Sequence, residues 1–351
     1  MPQAPAPTTE SAPSASAPPN AGSEFTPLLR KAKEQGLLER RRGWYATGIA
    51  VNGLLLAAVA AGIHQAGDTW WTLLLALPLA VLSARTAFVG HDAGHSQIAG
   101  SRRTNRVIGL VHGNLLLGMS YAWWNDKHNR HHANPNHVEK DPDVAVGALV
   151  WTEEQAADRR GFAGWVTRHQ AKLFFPMLLL EGIALKVSSI QDLRRQGARE
   201  RAVEALLLVA HVAGYAALLL TALPLGKAIA FALVHHALFG LHLGMAFAPN
   251  HKGMEMPGGD DRRWGHLRRQ VLTSRNVRGG AVTDWLLGGL NYQIEHHLFP
   301  SMPRPHLRLV QPLVRRHCRA LGLSYAETGL IDSYGQALRH MHAVGAPLRP
   351  E

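Results

Sequence analysis

Seven histidines fall in three short boxes: His91-Asp-Ala-Gly-His95, His128-Asn-Arg-His131-His132 and Gln293-Ile-Glu-His296-His297. Imidazole is a good ligand for iron, zinc and copper, so boxes repeated three times point to bound transition metal rather than to packing. On a helix, residues four apart share one face about 6 Å apart along the axis, so His91 and His95 can converge on one centre. His128 has partners both three and four residues on, at His131 and His132. Adjacent histidines diverge by about 100° on a helix, so His131/His132 and His296/His297 each serve two metals more naturally than one. A dinuclear site follows.

The elements that must position these boxes are apolar. Hydrophobic residues make up 46% of the 351, and they concentrate in residues 44–63, 69–89, 202–220 and 228–247. Each run is near the roughly 20 residues a helix needs to cross a bilayer. Only a short segment around residues 66–68 separates the first two, and residues 221–227 the last two, so each pair reads as a hairpin with both ends on one side. Arg30, Lys31, Lys33, Arg40, Arg41 and Arg42 flank the first run, whereas the two turns hold a single cation, Lys227. The positive-inside rule then places the large segments, and all three boxes, in the cytoplasm.

The expected fold is an all-α integral membrane protein: four transmembrane helices in two hairpins, with a cytosolic helical cap holding a dinuclear metal site. Residues 1–24, rich in Ala, Pro and Ser, read as a disordered tail rather than a signal peptide. Residues 25–43 form a cytosolic basic flank, 44–89 the first hairpin and 90–201 a cytosolic insert with boxes 1 and 2. The second hairpin spans 202–247, and 248–351 is a cytosolic region carrying box 3. Within the insert, residues 107–124 hold His112 and Asn114 and join two boxes of one site, so they read as an interfacial helix with Trp123 and Trp124 at headgroup level. Residues 174–185 read the same way, because the apolar run is short and meets Glu181 and Lys186. His235, His236 and His242, inside the last span, are expected to hydrogen-bond neighbouring helices as neutral rings. The net charge of +12 is what basic cytoplasmic loops require, and without a binding motif it does not indicate nucleic acid. A lone cysteine, Cys318, excludes intramolecular disulfides and cysteine-held clusters.

The stretch Trp123-Trp124-Asn125-Asp126-Lys127-His128-Asn129-Arg130-His131-His132, with Pro135-Asn136, and the run from Gln293 to Pro300 resemble the signatures of membrane fatty acid desaturases. The order box, box, hairpin, box is similar as well, over roughly residues 40–320. The Gln-x-x-His-His form of box 3 resembles the acyl-lipid and front-end branch, in which Gln replaces a histidine. That implies Gln293 as a further ligand, weaker because an amide oxygen binds less well than imidazole. The resemblance also implies a ligand after the last span, the place His251 occupies, with Asn250 either near a metal-bound water or a turn residue. Many front-end members carry a fused haem domain with a His-Pro-Gly-Gly motif, and this sequence does not contain that motif. A separate electron donor of ferredoxin, flavodoxin or cytochrome type is therefore expected.

The resemblance implies desaturation of a fatty acyl lipid or acyl-CoA. Removing two hydrogens from unactivated methylenes needs an oxidant made from O2, which redox-inert zinc does not supply, so two iron ions with O2 as co-substrate are the sensible cofactors. Ligating rings need partners for their other nitrogen, for which Asp92, Glu139, Asp141, Asp143, Asp284 and Glu295 are the candidates. A di-iron lipid hydroxylase or ketolase would use the same boxes, and a zinc-dependent membrane hydrolase or a divalent-metal carrier is the reading from another class.

Overall fold

The computed structural model describes residues 24–259 and 264–349, so the tail expected over residues 1–24 lies, except for Glu24, outside the described residues. Helix α1 (Phe25–Glu34) is amphipathic and buries Leu28 and Ala32. Helix α2 (Arg42–Ala66) is apolar and mostly exposed, as suits a helix that faces lipid. Gly67, at φ +55°, ends it and turns the chain into a 3-10 segment (Trp70–Leu75) that continues as α3 (Ala76–Gly94). Trp70 and Trp71 are exposed at that turn, where interfacial anchors belong.

Residues 107–124 differ from the single interfacial helix expected of them. Helix α4 (Arg102–Leu110) passes into a widened π-type turn (Val111–Leu117), and Gly118 at φ +74° breaks the chain before α5 (Tyr121–Ala133). This break starts α5 in a new direction, with Trp123 and Trp124 in its first turn. Both pack partly buried against the bundle core, and the Trp124 ring stacks on His128 at 4.5 Å. Helix α6 (Glu153–Ala157) is short; α7 (Gly161–Asp192) absorbs residues 174–185 into a helix of 32 residues with Pro176 inside it. Helices α8 (Ala198–Leu220) and α9 (Leu225–His251) form the second hairpin.

All four expected spans lie within helices long and apolar enough to cross a membrane, and the segment Gly161–Arg195 makes a fifth such candidate. Glycines bring α7 and α9 nearly into backbone contact. A Cβ on Gly240 would lie 2.5 Å from the Gly182 nitrogen, and one on Gly244 would lie 2.4 Å from Leu178. At the far end of the hairpins, Lys227 Nζ reaches Asp68 Oδ1 at 2.5 Å, so the one cation of the short turns is neutralised by a carboxylate.

The remainder caps this bundle: α10 (His266–Leu272), β1 (Asn276–Arg278), α11 (Ala281–Leu286), α12 (Gln293–Leu298), α13 (Arg304–Ala320), β2 (Glu327–Gly329) and α14 (Leu330–Val344). The parallel pair β1–β2, with Asn276 opposite Glu327, departs from an all-α expectation by only three residues per strand. Beneath box 3, Leu28, Leu267, Ile294, Leu298, Met302, Leu307 and Val310 form the cap core. Each such side chain contributes about 1.5–3 kcal/mol by burial, which clamps the six-residue α12 between α10 and α13.

Candidate metal centre

Each box sits at the end of an element that aims it inward. Box 1 closes α3, box 2 fills the last two turns of α5, and box 3 is α12 itself. Helix α9 runs through Pro249 to His251, four residues beyond the expected end of that span, so His251 is a buried helix terminus rather than a loop residue. Asn250 belongs to the same helix rather than to a turn. Its amide donates to Ala246 O, Leu290 O and Gln293 Oε1, tying α9 to the segment before box 3.

Ring nitrogens converge in two groups. One atom each of His91, His95, His128, His132 and His296 lie within 4.8 Å of one another, and so do one atom each of His131, His251 and His297. The adjacent pairs split as helical geometry requires: His132 and His296 face the first group, His131 and His297 the second. Within the first, His128 Nε2 and His132 Nε2 are 3.1 Å apart; within the second, His131 Nε2 and His251 Nε2 are 3.3 Å apart. Gln293 lies beside the second group, its amide nitrogen 2.8 Å from His251 Nε2. The two groups touch where His132 and His297 stack at 4.1 Å.

The opposite nitrogens of four rings are held. His91 Nδ1 meets Asp92 Oδ1 at 3.0 Å, His131 Nδ1 meets Asp141 Oδ2 at 2.9 Å, His251 Nδ1 meets Thr273 O at 2.9 Å and His297 Nδ1 meets Gln270 Oε1 at 2.9 Å. Each contact directs Nε2 toward the centre. Asp92 is itself fixed by Tyr45 OH at 2.9 Å and Arg304 Nη2 at 2.5 Å. Asp141 accepts from the Asn136 and Asp143 backbone amides.

Of the other carboxylates singled out in the sequence, Asp143 stands 3.5 Å from His131 and pairs with Lys127. Burial alone would raise its pKa, but the Lys127 ammonium beside it more than offsets this and holds it below the usual range. Asp284 bonds Asn291 and Tyr292 instead, and Glu139 is exposed. Glu295 accepts from Asn276 and Tyr325, each under 3 Å away, and burial raises its pKa to about 7. Thr273 and Gln270 escaped the sequence reading because neither a backbone carbonyl nor a neutral amide carries a compositional signal.

The donor set suits a metal. Burial, and then the neighbouring imidazoles, hold His128, His132, His296 and His297 well below the ordinary histidine range, which leaves neutral rings with free lone pairs. The Nε2 atoms of His91, His95, His296 and His297 are buried and have no hydrogen-bond partner among the described residues. Such orphaned acceptors are costly unless something binds them.

By contrast, the histidines inside the spans are engaged elsewhere. His235 bridges Ser83 Oγ at 3.2 Å and Tyr215 OH at 2.8 Å, His236 meets Ala232 O and His242 meets Leu286 O, both at 2.8 Å.

A cavity of about 570 Å³ opens beside the histidines between α3, α5, α7, α9 and residues 142–151. His91, His128, His131, His251 and Gln293 form part of its wall. Phe88, Leu117, Met119, Leu178, Leu185 and Leu243 make the rest largely apolar. Such a space accepts a hydrocarbon chain alongside the ring nitrogens.

The sequence pattern of the fatty acid desaturase family matches residues 68–329, which include all three boxes. A Delta(8)-fatty-acid desaturase of Helianthus annuus is 25% identical over 342 residues, covering 93% of this chain and 74% of its own length. The Delta(6)-fatty-acid desaturase fat-3 of Caenorhabditis elegans is 28% identical over 333 residues, 90% of this chain and 74% of its own. A Delta(8)-fatty-acid desaturase of Euglena gracilis is 30% identical over 331 residues, 89% and 78% respectively. With a match over most of its length and an apolar cavity lying against its clustered histidines, the chain belongs to the fatty acid desaturase family.

Proposed function

We propose that this membrane fatty acyl desaturase acts through two irons, one held by His91, His95, His128, His132 and His296, the other by His131, His251 and His297. Gln293 stands beside the second and would be its weakest ligand, once its amide turns toward the rings the oxygen that here accepts from Asn250. The observation that carries this reading is the division of the buried ring nitrogens into two adjoining groups, with each adjacent histidine pair contributing one ring to either side. Iron bound there would supply the O2-dependent oxidising power needed to take two hydrogens from neighbouring methylenes, with two electrons from a separate donor and water as the other product. The protein's own part is positional. Asp92, Asp141, Thr273 and Gln270 fix the rings, and the apolar cavity lays one stretch of acyl chain against them and keeps bulk water out. Membership of the family sets aside a zinc hydrolase or a metal carrier.

Connectivity favours four crossings. Helices α8 and α9 are joined by a short turn, so Ala198 lies on the same side of the membrane as His251. Two contacts support the same side for both ends of α7: Gln196, just past α7, reaches Ser120 at the start of α5, and Gln170 in its first half holds Val150. A helix with both ends on one side lies along the interface or dips into it, whatever its length. The basic flank before α2 supports reading that side, with the metal site, as cytoplasmic, and the Lys227–Asp68 pair as lying at the opposite face.

Gas chromatography with mass spectrometry of total fatty acids tests the reaction. Cells expressing the chain should contain an unsaturated acid that control cells lack; hydroxylated or oxo acids instead would move the protein to the hydroxylase or ketolase branch. Asp141→Asn should lower product formation by about 10–100-fold, because an amide cannot hold His131 and the Asn136 amide as a carboxylate does. Product rate and bound iron measured on one membrane preparation check it.

A further inference from the structure

Helix α9 ends at His251 in the protein interior, and an α-helix leaves its last four carbonyls without partners of its own. Here the four belong to Pro249, Asn250, His251 and Lys252, and a single distant residue takes three of them. Arg275, in the link between α10 and β1, donates from Nε and Nη2 to Pro249 O at 3.1 and 2.6 Å and from Nη2 to Lys252 O at 2.9 Å. Its backbone N–H donates to Asn250 O at 2.8 Å. The remaining carbonyl, that of His251, accepts from Asn136 Nδ2 at 2.9 Å. Two residues before Arg275, the Thr273 carbonyl meets His251 Nδ1. Residues 273–275 therefore grip both the end of the helix and the ring it carries.

The guanidinium is 1% exposed, and its other partners include Ser333 Oγ at 2.8 Å and Gln336 Oε1 at 2.7 Å on α14. None of the groups it bonds is a carboxylate, although a buried cation ordinarily needs an anion beside it. The negative end of a 27-residue helix supplies the opposing charge instead. Burial lowers the Arg275 pKa to about 10, which leaves it charged at neutral pH. Ser333 completes the join, because its Oγ donates to Pro249 O at 2.6 Å while accepting from Arg275.

His251 is the last residue of its helix, so a turn with free carbonyls would fray and swing the ring. The consequence is confined to one side of the metal site. His251 belongs to the group with His131 and His297, whereas the group of His91, His95, His128, His132 and His296 draws no ring from α9. We propose that Arg275 is a positioning residue for the smaller histidine group, fixing the His251 ring by capping the C-terminus of α9 without itself being a ligand. This rests on the two-iron reading and adds what holds one of its ligands in place.

The test uses the full chain purified from membranes, with two variants. Arg275→Lys keeps a cation but loses the planar fork that reaches Pro249 O and Lys252 O together. Ser333→Ala removes only the hydroxyl that joins Arg275 to Pro249. Amide hydrogen exchange is followed by mass spectrometry on metal-free protein, and bound iron is measured after loading. In Arg275→Lys, exchange over residues 248–254 should quicken about ten-fold or more, with α3, α5 and α12 at wild-type rates, and iron should fall from two per chain toward one. Ser333→Ala should move the same segment by a smaller factor, and it decides on the same readouts if Arg275→Lys does not accumulate. Wild-type exchange over residues 248–254, or two irons retained, would overturn the inference. So would faster exchange through all three boxes with both irons lost, which is what a merely structural arginine predicts. A wild-type iron content other than two would overturn the two-iron reading instead, and the exchange pattern, which needs no metal, would still decide the cap.

Discussion

Alanine at His131 or at His297 will abolish product formation while the variant still inserts in the membrane. Each ring is one of only three in the smaller histidine group, and each has its far nitrogen held, by Asp141 and by Gln270. Removing either leaves two imidazoles and Gln293 to hold a metal. Loss of a mere orienting partner costs 10–100-fold, so loss of the ligand itself should cost roughly 100-fold or more. His242→Gln is the matched control. That ring lies in the same helix as His251 but hydrogen-bonds Leu286 O, away from both groups, and the variant should keep most of its product. Activity retained in His131→Ala or His297→Ala would take these residues out of the ligand set.

Chelation supplies the second large effect. Purified protein should carry about two irons, a number that follows from two groups of nitrogens rather than one. A strong iron chelator should remove all activity, Fe2+ under reducing conditions should restore it, and Zn2+ should fill the same nitrogens without restoring it, since zinc has no accessible second oxidation state. His131→Ala should drop the iron content toward one, because the five-histidine group remains whole. Recovery of full activity by zinc would end the di-iron reading. The pH sense of loading is also set: protonated imidazole cannot bind metal, so acidification should release iron and alkaline pH should not.

How far these properties could be read before folding depends on the range of the interactions behind them. The division of each adjacent histidine pair between two groups was legible box by box, because helical periodicity alone separates His131 from His132 and His296 from His297 by about 100°. The apolar runs of α2, α3, α8 and α9 were legible for the same reason, hydropathy being a property of contiguous residues. His251 came through family resemblance only; nothing in Pro-Asn-His-Lys announces a buried helix end.

What lay outside local pattern was settled by contacts between distant segments. Which box meets which is decided where His132 of α5 stacks on His297 of α12, and Gln270, on a third helix, bonds His297 Nδ1 and the His132 carbonyl together. Among six plausible carboxylates, the fold gives the histidines Asp92 and Asp141 with Asp143 at the margin, and commits Glu295 to Tyr325 and Asn276. Trp124 stacks on His128 because Gly118 ends the preceding helix and α5 starts afresh beside the boxes. Composition and period dictate which atoms can ligate and which helices must be buried in lipid, because those choices cost free energy residue by residue. The pairing of rings, their orienting partners and the shape of the cavity arise only when separate helices pack, since each depends on two backbones meeting at a distance that neither segment encodes alone.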